Sequence, residues 1–157
     1  MAGHVDSKGG VRMIDVGDKP ERRRVATASA RLLVTGEQMH ALSEGSVHKG
    51  DWRTTAQIAG IQGAKRSSDW IPLCHPLPLE HVDVGVVLHD ADNRIELTCT
   101  VCATAKTGVE MEALSGVCAA TLAVYDMIKA IDKGAEIEHV RLEHKSGGRS
   151  GDWKRSS

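Results

Sequence analysis

Asp126 and Lys129 stand three residues apart in YDMIKA, near the end of the longest apolar repeat in the chain. On a helix that spacing lets a carboxylate meet an ammonium group. Beside an apolar stripe the pair reads either as a solvated ion pair or as a half-buried acid–base couple with displaced pKa values. Glu110 and Glu112 lie two apart in TGVEMEAL, ahead of the same repeat. In extended backbone both would point into one space, although a helix start favours acids equally well. Lys49 in HKGD and Lys65 with Arg66 in GAKRS either neutralise an anion or simply face solvent. Cys74 and His75 offer a thiol and an imidazole, but sequence neighbours seldom face each other, and such dyads are normally assembled from distant segments. Cys99 and Cys102 have C-x-x-C spacing in a strand-like stretch, where residues three apart point to opposite faces, and no second pair could close a metal site. None of the eight histidines falls in an H-E-x-x-H pattern. Lys145 and Arg149 flank glycines in KSGGRSGD, which either cradles phosphate on backbone N–H groups or is merely flexible, and it lacks the P-loop pattern.

These residues need elements to hold them. Residues 1–23 are polar and glycine-bearing and end in a charged run from Lys19 to Arg24, which reads as a mobile arm. A single domain is expected over 24–152, with a short tail at 153–157. A strand runs from about Val25 to Val34, and Thr35 with Gln38 makes a capping box for a short helix ending near Gly45. Between Lys49 and Ser68, Ala56, Ala59, Gly60, Gly63 and Ala64 fall largely on one side of a helix, inviting another backbone close. The prolines of WIPLCHPLPLE make a stiff loop, a common place to present a functional side chain. Residues 81–102 alternate as a hairpin turning at 90–93. A helix follows from Ala113 to Lys133 with Gly134 as its C-cap, then a last strand at about 140–144. Helices interleaved with an antiparallel hairpin predict an α+β sandwich of sheet against helices.

With 157 residues, 41% of them apolar, the chain can bury one core; lacking Phe and holding one Tyr and three Trp, it must do so with aliphatic side chains. A net charge of −1 gives no global pull toward nucleic acid or an anionic membrane, so an anion must be caught by a local basic cluster. No run approaches the ~18 apolar residues of a membrane span, and the N-terminal stretch has no apolar signal core. Four irregularly spaced cysteines fit reduced thiols and a cytoplasmic protein.

Six motifs stand in order: HKGD at 48–51, AQIAGIQGAKR at 56–66, IPLCHPLPL at 71–79, KTGVEMEAL at 106–114, YDMIKA at 125–130 and KSGGRSGD at 145–152. Together they resemble the cyclic pyranopterin monophosphate synthase family of molybdenum cofactor biosynthesis, from about Met13 to Asp152. Gly63, Ser67 and Trp153 depart from the expected Ala, Thr and Phe, and the arm does not match. The resemblance implies a ferredoxin-like subunit in a homohexamer of three dimers, with active sites between subunits; the small-residue face at Ala56, Ala59, Gly60 and Gly63 would serve such contacts. It implies a small-molecule substrate, 3′,8-cyclo-7,8-dihydroguanosine 5′-triphosphate, converted to cyclic pyranopterin monophosphate and pyrophosphate. By resemblance Asp126 is the catalytic acid/base, assisted by Lys129 and Lys49. Leu73, Cys74, His75, Met111 and Glu112 hold the substrate, with Glu110, Lys65, Lys145 and Arg24 as further contacts. No redox cofactor and no bound metal are expected. A nucleotide-binding regulatory module of the same fold, catalytically silent, is the alternative, and retention of Asp126 and Lys129 beside the basic cluster speaks for turnover.

Overall fold

Small residues on one strand against large ones on the next set the core. In the computed structural model, which describes residues 4–5, 8–149 and 151–156, strand β1 (Arg22–Leu33) buries Ala26, Ala28, Ala30 and Leu32 completely. They pair antiparallel with Val101, Cys99, Leu97 and Ile95 of β3 (Arg94–Ala105), also buried. On the far side of β3, β2 (His81–His89) sets Val82, Val84, Val86 and Leu88 opposite the same four residues. The hairpin turns through a short 3-10 segment, Asp90–Asp92, and Asn93 takes the left-handed conformation, which asparagine tolerates. Helix α4 (Glu110–Ile128) lays Val117, Thr121, Val124 and Ile128 on this surface.

The capping box at Thr35 is present in both directions and opens α1 (Gly36–Ser43). Helix α2 (Trp52–Lys65) starts at Asp51, whose carboxylate accepts from the N–H groups of Arg53 and Thr54. After the one-turn α3 (Ser67–Trp70), the proline-rich segment is a loop as expected. Strands β4 (Glu136–Gly148) and β5 (Gly151–Lys154) complete an antiparallel sheet in the order β2-β3-β1-β4-β5. The first four strands and the helices between them follow the ferredoxin-like β-α-β-β-α-β pattern, with the helices on one face. Helix α4 has the length and composition to span a membrane, but more than half of that stretch is buried inside the fold.

Several expectations change. The small-residue face of α2 is occupied within the chain. A Cβ at Gly60 would stand 3.2 Å from Gly116 O, and one at Gly63 would stand 2.9 Å from Ser115 O. The close backbone approach is therefore to α4, which buries Ala56 and Gly60, while Ala59 and Gly63 stay partly exposed. Helix α4 begins three residues earlier than expected, because buried Val109 anchors its first turn. It ends at Ile128 with Lys129 as C-cap, while Gly134 N–H binds Asp132 in a separate turn. Glu110 and Glu112 are thus helical, and residues two apart on a helix diverge instead of sharing a face. The glycine-rich run forms the turn of the β4–β5 hairpin, a pairing no alternation in the sequence announces; its Ser150, like residues 1–3, 6–7 and 157 of the predicted arm and tail, lies outside the described residues.

Candidate active site

Two clusters form, at opposite ends of α4. At its C-terminal end Lys49 reaches over from the loop before α2, where Gly50 (φ +99°) turns the chain into the Asp51 cap. Its Nζ donates to Asp126 Oδ2 at 2.6 Å and to the Asp126 carbonyl at 2.9 Å. Lys129 Nζ lies 2.7 Å from Oδ1 of the same carboxylate. The side chains of Lys49, Asp126 and Lys129 are 42, 53 and 51% exposed, so of the two readings left open by the sequence the solvated ion pair describes their setting. Hydrogen bonds from Lys129 and then Lys49 lower the Asp126 carboxyl to about 2, and Asp126 in turn raises Lys129. Charge partners cause the shift, and not apolar neighbours, as the half-buried alternative would have had it.

At the N-terminal end of α4 the proline-rich loop delivers Leu73, Cys74 and His75. Cys74 Sγ donates to Glu112 Oε1 at 3.2 Å. Burial, and then the hydrogen bond and charge of Glu112, push the thiol up to about 12, so at neutral pH it is a protonated donor and a poor nucleophile. Glu112 is only 3% exposed, its Oε2 has no partner, and burial pushes its carboxyl up despite the thiol donor. His75 points elsewhere, donating from Nε2 to the Ile14 carbonyl at 2.9 Å. Lys145 on β4 sits 3.1 Å from Glu110. Leu73, Cys74, His75, Glu110 and Met111 line a cavity of about 340 Å³, with Ile14, Val16 and Lys19 of the N-terminal segment on its other wall.

Arg24 and Lys65 take different places. Arg24 is 8% exposed and donates to three carbonyls, Ala105 at 3.1 Å, Gly147 at 2.6 Å and Lys106 at 3.4 Å. It braces the wall of the site. Lys65 is exposed in a separate groove beside Leu79 and Glu80. Sequence reasoning missed Lys19, Thr107 and Gly108 as wall residues. Gly108 is crossed by the Glu110 carboxylate, which lies where a Cβ would stand, a contact seen only in the fold. Lys19 carried no signal, because only the fold brings the N-terminal segment back across the loop. Among the described residues no three His, Cys, Asp or Glu gather as a metal-ligand set.

From Glu112 to Asp126 is 14 residues of α4, about 21 Å of helix. A carboxylate with two lysines and a pocket with buried acid and thiol therefore do not meet within one chain.

The sequence profile of the MoaC family matches residues 13–148. Proteins named cyclic pyranopterin monophosphate synthase are similar over nearly the whole chain. The one from Streptomyces coelicolor is 52% identical over 98% of this chain and 89% of its own. That from Thermomicrobium roseum is 47% identical over 97 and 92%. From Mycobacterium tuberculosis, cyclic pyranopterin monophosphate synthase 1 is 46% identical over 98 and 90%. With its six ordered motifs, its sheet order and this near-complete likeness, the chain belongs to the MoaC family.

Proposed function

We propose that this chain is a cyclic pyranopterin monophosphate synthase of molybdenum cofactor biosynthesis, a lyase that converts 3′,8-cyclo-7,8-dihydroguanosine 5′-triphosphate to cyclic pyranopterin monophosphate and pyrophosphate. The observation that carries this reading is the likeness over 97–98% of the chain to proteins of that name. Its catalytic unit is residues 24–152, preceded by an arm over 1–23 whose Ile14, Val16 and Lys19 line the pocket.

Asp126 is the acid/base and Lys129 and Lys49 its assistants. With both ammonium groups bound, Asp126 is held ionised, a state that accepts protons reluctantly. A phosphate oxygen that draws Lys49 or Lys129 away removes the hydrogen bond keeping the carboxyl low, and its pKa rises toward a range useful for proton transfer. Leu73, Cys74, His75, Met111 and Glu112 hold the ring system. Glu112 is buried behind the lining and acts through the Cys74 thiol, which donates to its Oε1 and is thereby held facing the cavity. Glu110 and Lys145 hold each other in place beside it, and Arg24 braces them.

The working form is a homohexamer, a trimer of dimers, in the cytoplasm, with each site shared between subunits. The ~21 Å between the clusters supports sharing, since a second copy can bring its Asp126 cluster to this chain's pocket. All four cysteines are free thiols, as a reducing compartment requires. Incubation with the cyclised triphosphate should yield pterin and pyrophosphate in equal amounts. Binding without either product would end the synthase reading.

A further inference from the structure

Burial does not hold Lys49, Asp126 and Lys129, yet their charged atoms meet at 2.6 and 2.7 Å. Long, solvated side chains keep one geometry only where the backbones that carry them are fixed relative to each other. Those backbones belong to the loop before α2 and the last turn of α4, which Lys49 and Asp126 join across 77 residues. Helix α1 (Gly36–Ser43) supplies no residue to this cluster, yet it is tied to both segments.

Its first turn grips the end of α4 through Gln38. This side chain is completely buried, and backbone groups satisfy both of its polar atoms. Nε2 donates to Asp132 O at 2.8 Å, 94 residues away, and Oε1 accepts from the Thr35 N–H at 2.9 Å. Asp132 stands three residues beyond Lys129, the C-cap whose own N–H closes on Tyr125 O. The next carbonyl, that of Lys133, accepts from the Tyr125 hydroxyl at 3.1 Å. Two successive carbonyls of the turn after Lys129 are therefore held. A buried amide satisfied at both ends fixes a geometry, because either partner left alone would be a costly orphan.

The last turn of α1 grips the Lys49 loop. Trp52, 3% exposed, donates from Nε1 to Leu42 O at 3.0 Å, and Val47 is buried in the same core. Between these two anchors the Gly50 N–H closes a turn on Val47 O at 3.1 Å, and Lys49 stands on that turn. Buried Met39 and Leu42 seat α1 itself.

We infer that α1 is a bracket for the acid/base cluster, with Gln38 the positioning residue for Lys129 and Trp52 the positioning residue for Lys49. Both act through the backbone that carries a lysine. Their part in turnover rests on the synthase reading given above, whereas their hold on the two lysines does not.

The test is acetylation of the full-length protein in its native assembly by N-hydroxysuccinimidyl acetate at neutral pH, followed lysine by lysine with mass spectrometry. Gln38→Met keeps the length of the side chain and loses both hydrogen bonds; it should speed acetylation of Lys129 and leave Lys49 unchanged. Trp52→Phe keeps an aromatic ring and loses the N–H; it should speed Lys49 and leave Lys129 unchanged. Each acceleration should be about two- to fivefold, the span of an exposed ion pair. Tyr125→Phe removes only a hydroxyl from the turn after Lys129 and should act as Gln38→Met does, so it reads that turn even if Gln38→Met does not fold. With the cyclised triphosphate, each variant should lose about tenfold or more in kcat with a smaller change in KM, the cost of a misplaced catalytic group. Adding Gln38→Met to Lys129→Met should cost no further rate, since both act on one interaction. Val101→Ala, in the core toward the other end of β3, is the control: it should lower Tm and move neither acetylation rate. Unchanged lysine rates in all three variants overturn the proposal, as does equal acceleration in Val101→Ala. Failure of the synthase reading looks different. If the lysine rates move as stated and the wild type makes neither product, the bracket stands and the activity is removed.

Discussion

With Lys129 and Lys49 both hydrogen-bonded to it, Asp126 gives up its proton at about pH 2, against an ordinary value of 3.8. A carboxyl lowered on folding contributes stability above its unfolded value and loses it as pH falls through the folded one. The contribution of these ion pairs should therefore be intact at neutral pH and fade between about pH 4 and 2. Titration of the Asp126 carboxyl by carbon NMR checks this, and Lys49→Met and Lys129→Met should each move its midpoint upward. For catalysis, Asp126→Asn keeps shape and one acceptor oxygen but cannot carry a proton, so single-turnover pyrophosphate release should fall at least ~10²-fold while substrate affinity falls far less. Near-normal turnover would pass the role to Glu110, Glu112 or His75. Cys74 gives the opposite expectation. A thiol held up near 12 by burial and by Glu112 is a donor, so Cys74→Ser should retain substantial activity and mass spectrometry should find no covalent adduct during turnover.

At the scale of elements, α2 and α4 cross so closely that glycine is required on both. A Cβ at Gly116 would press on Cys99 Sγ and stand 3.1 Å from Gly60 O, a backbone atom that can move only with its helix. Gly116→Ala should lower stability by ~1–3 kcal/mol, the usual cost of overpacking. Gly36→Ala is the control. It lies in the first turn of α1 with nothing within 4 Å of the added carbon, and should be neutral or stabilising by up to ~1 kcal/mol. Urea unfolding of both, at fixed protein concentration, would show the contrast as opposite shifts in midpoint with unchanged slope. If Gly116→Ala were harmless, the α2–α4 contact would be looser than the geometry states.

For the whole molecule, the decisive fact is that α4 carries its two clusters about 21 Å apart. Sites shared between subunits make a sharp prediction for mixed assemblies. Asp126→Asn and His75→Ala should each be inactive alone. Dissociated, mixed in equal amounts and reassembled, they should regain activity at about a quarter of the sites, those pairing an intact Asp126 with an intact pocket from another copy. No recovery under conditions that reassemble wild type would show that each chain completes its own site. Light scattering on the wild type gives the companion measurement, a hexamer.

Read alone, the sequence determined which face of each strand and helix is apolar, because alternation and the 3.6-residue repeat are local properties. The 81–102 hairpin, the Thr35 capping box and the stiffness of the proline loop follow from residues within a few positions of one another. So does the contact between Asp126 and Lys129. What joins Lys49 to Asp126 across 77 residues, Cys74 to Glu112 across 38 and His75 to Ile14 across 61 has no local trace, since those distances are set by how α2 and α4 pack on the sheet. The environment of the acid was likewise undecided: an apolar stripe one turn away said nothing of the two ammonium groups that hold Asp126 in the open. Only the tertiary structure placed Arg22, Lys106 and Arg149 around one cavity, because strand pairing, and not spacing along the chain, brings the start of β1, the end of β3 and the β4–β5 turn to the same end of the sheet.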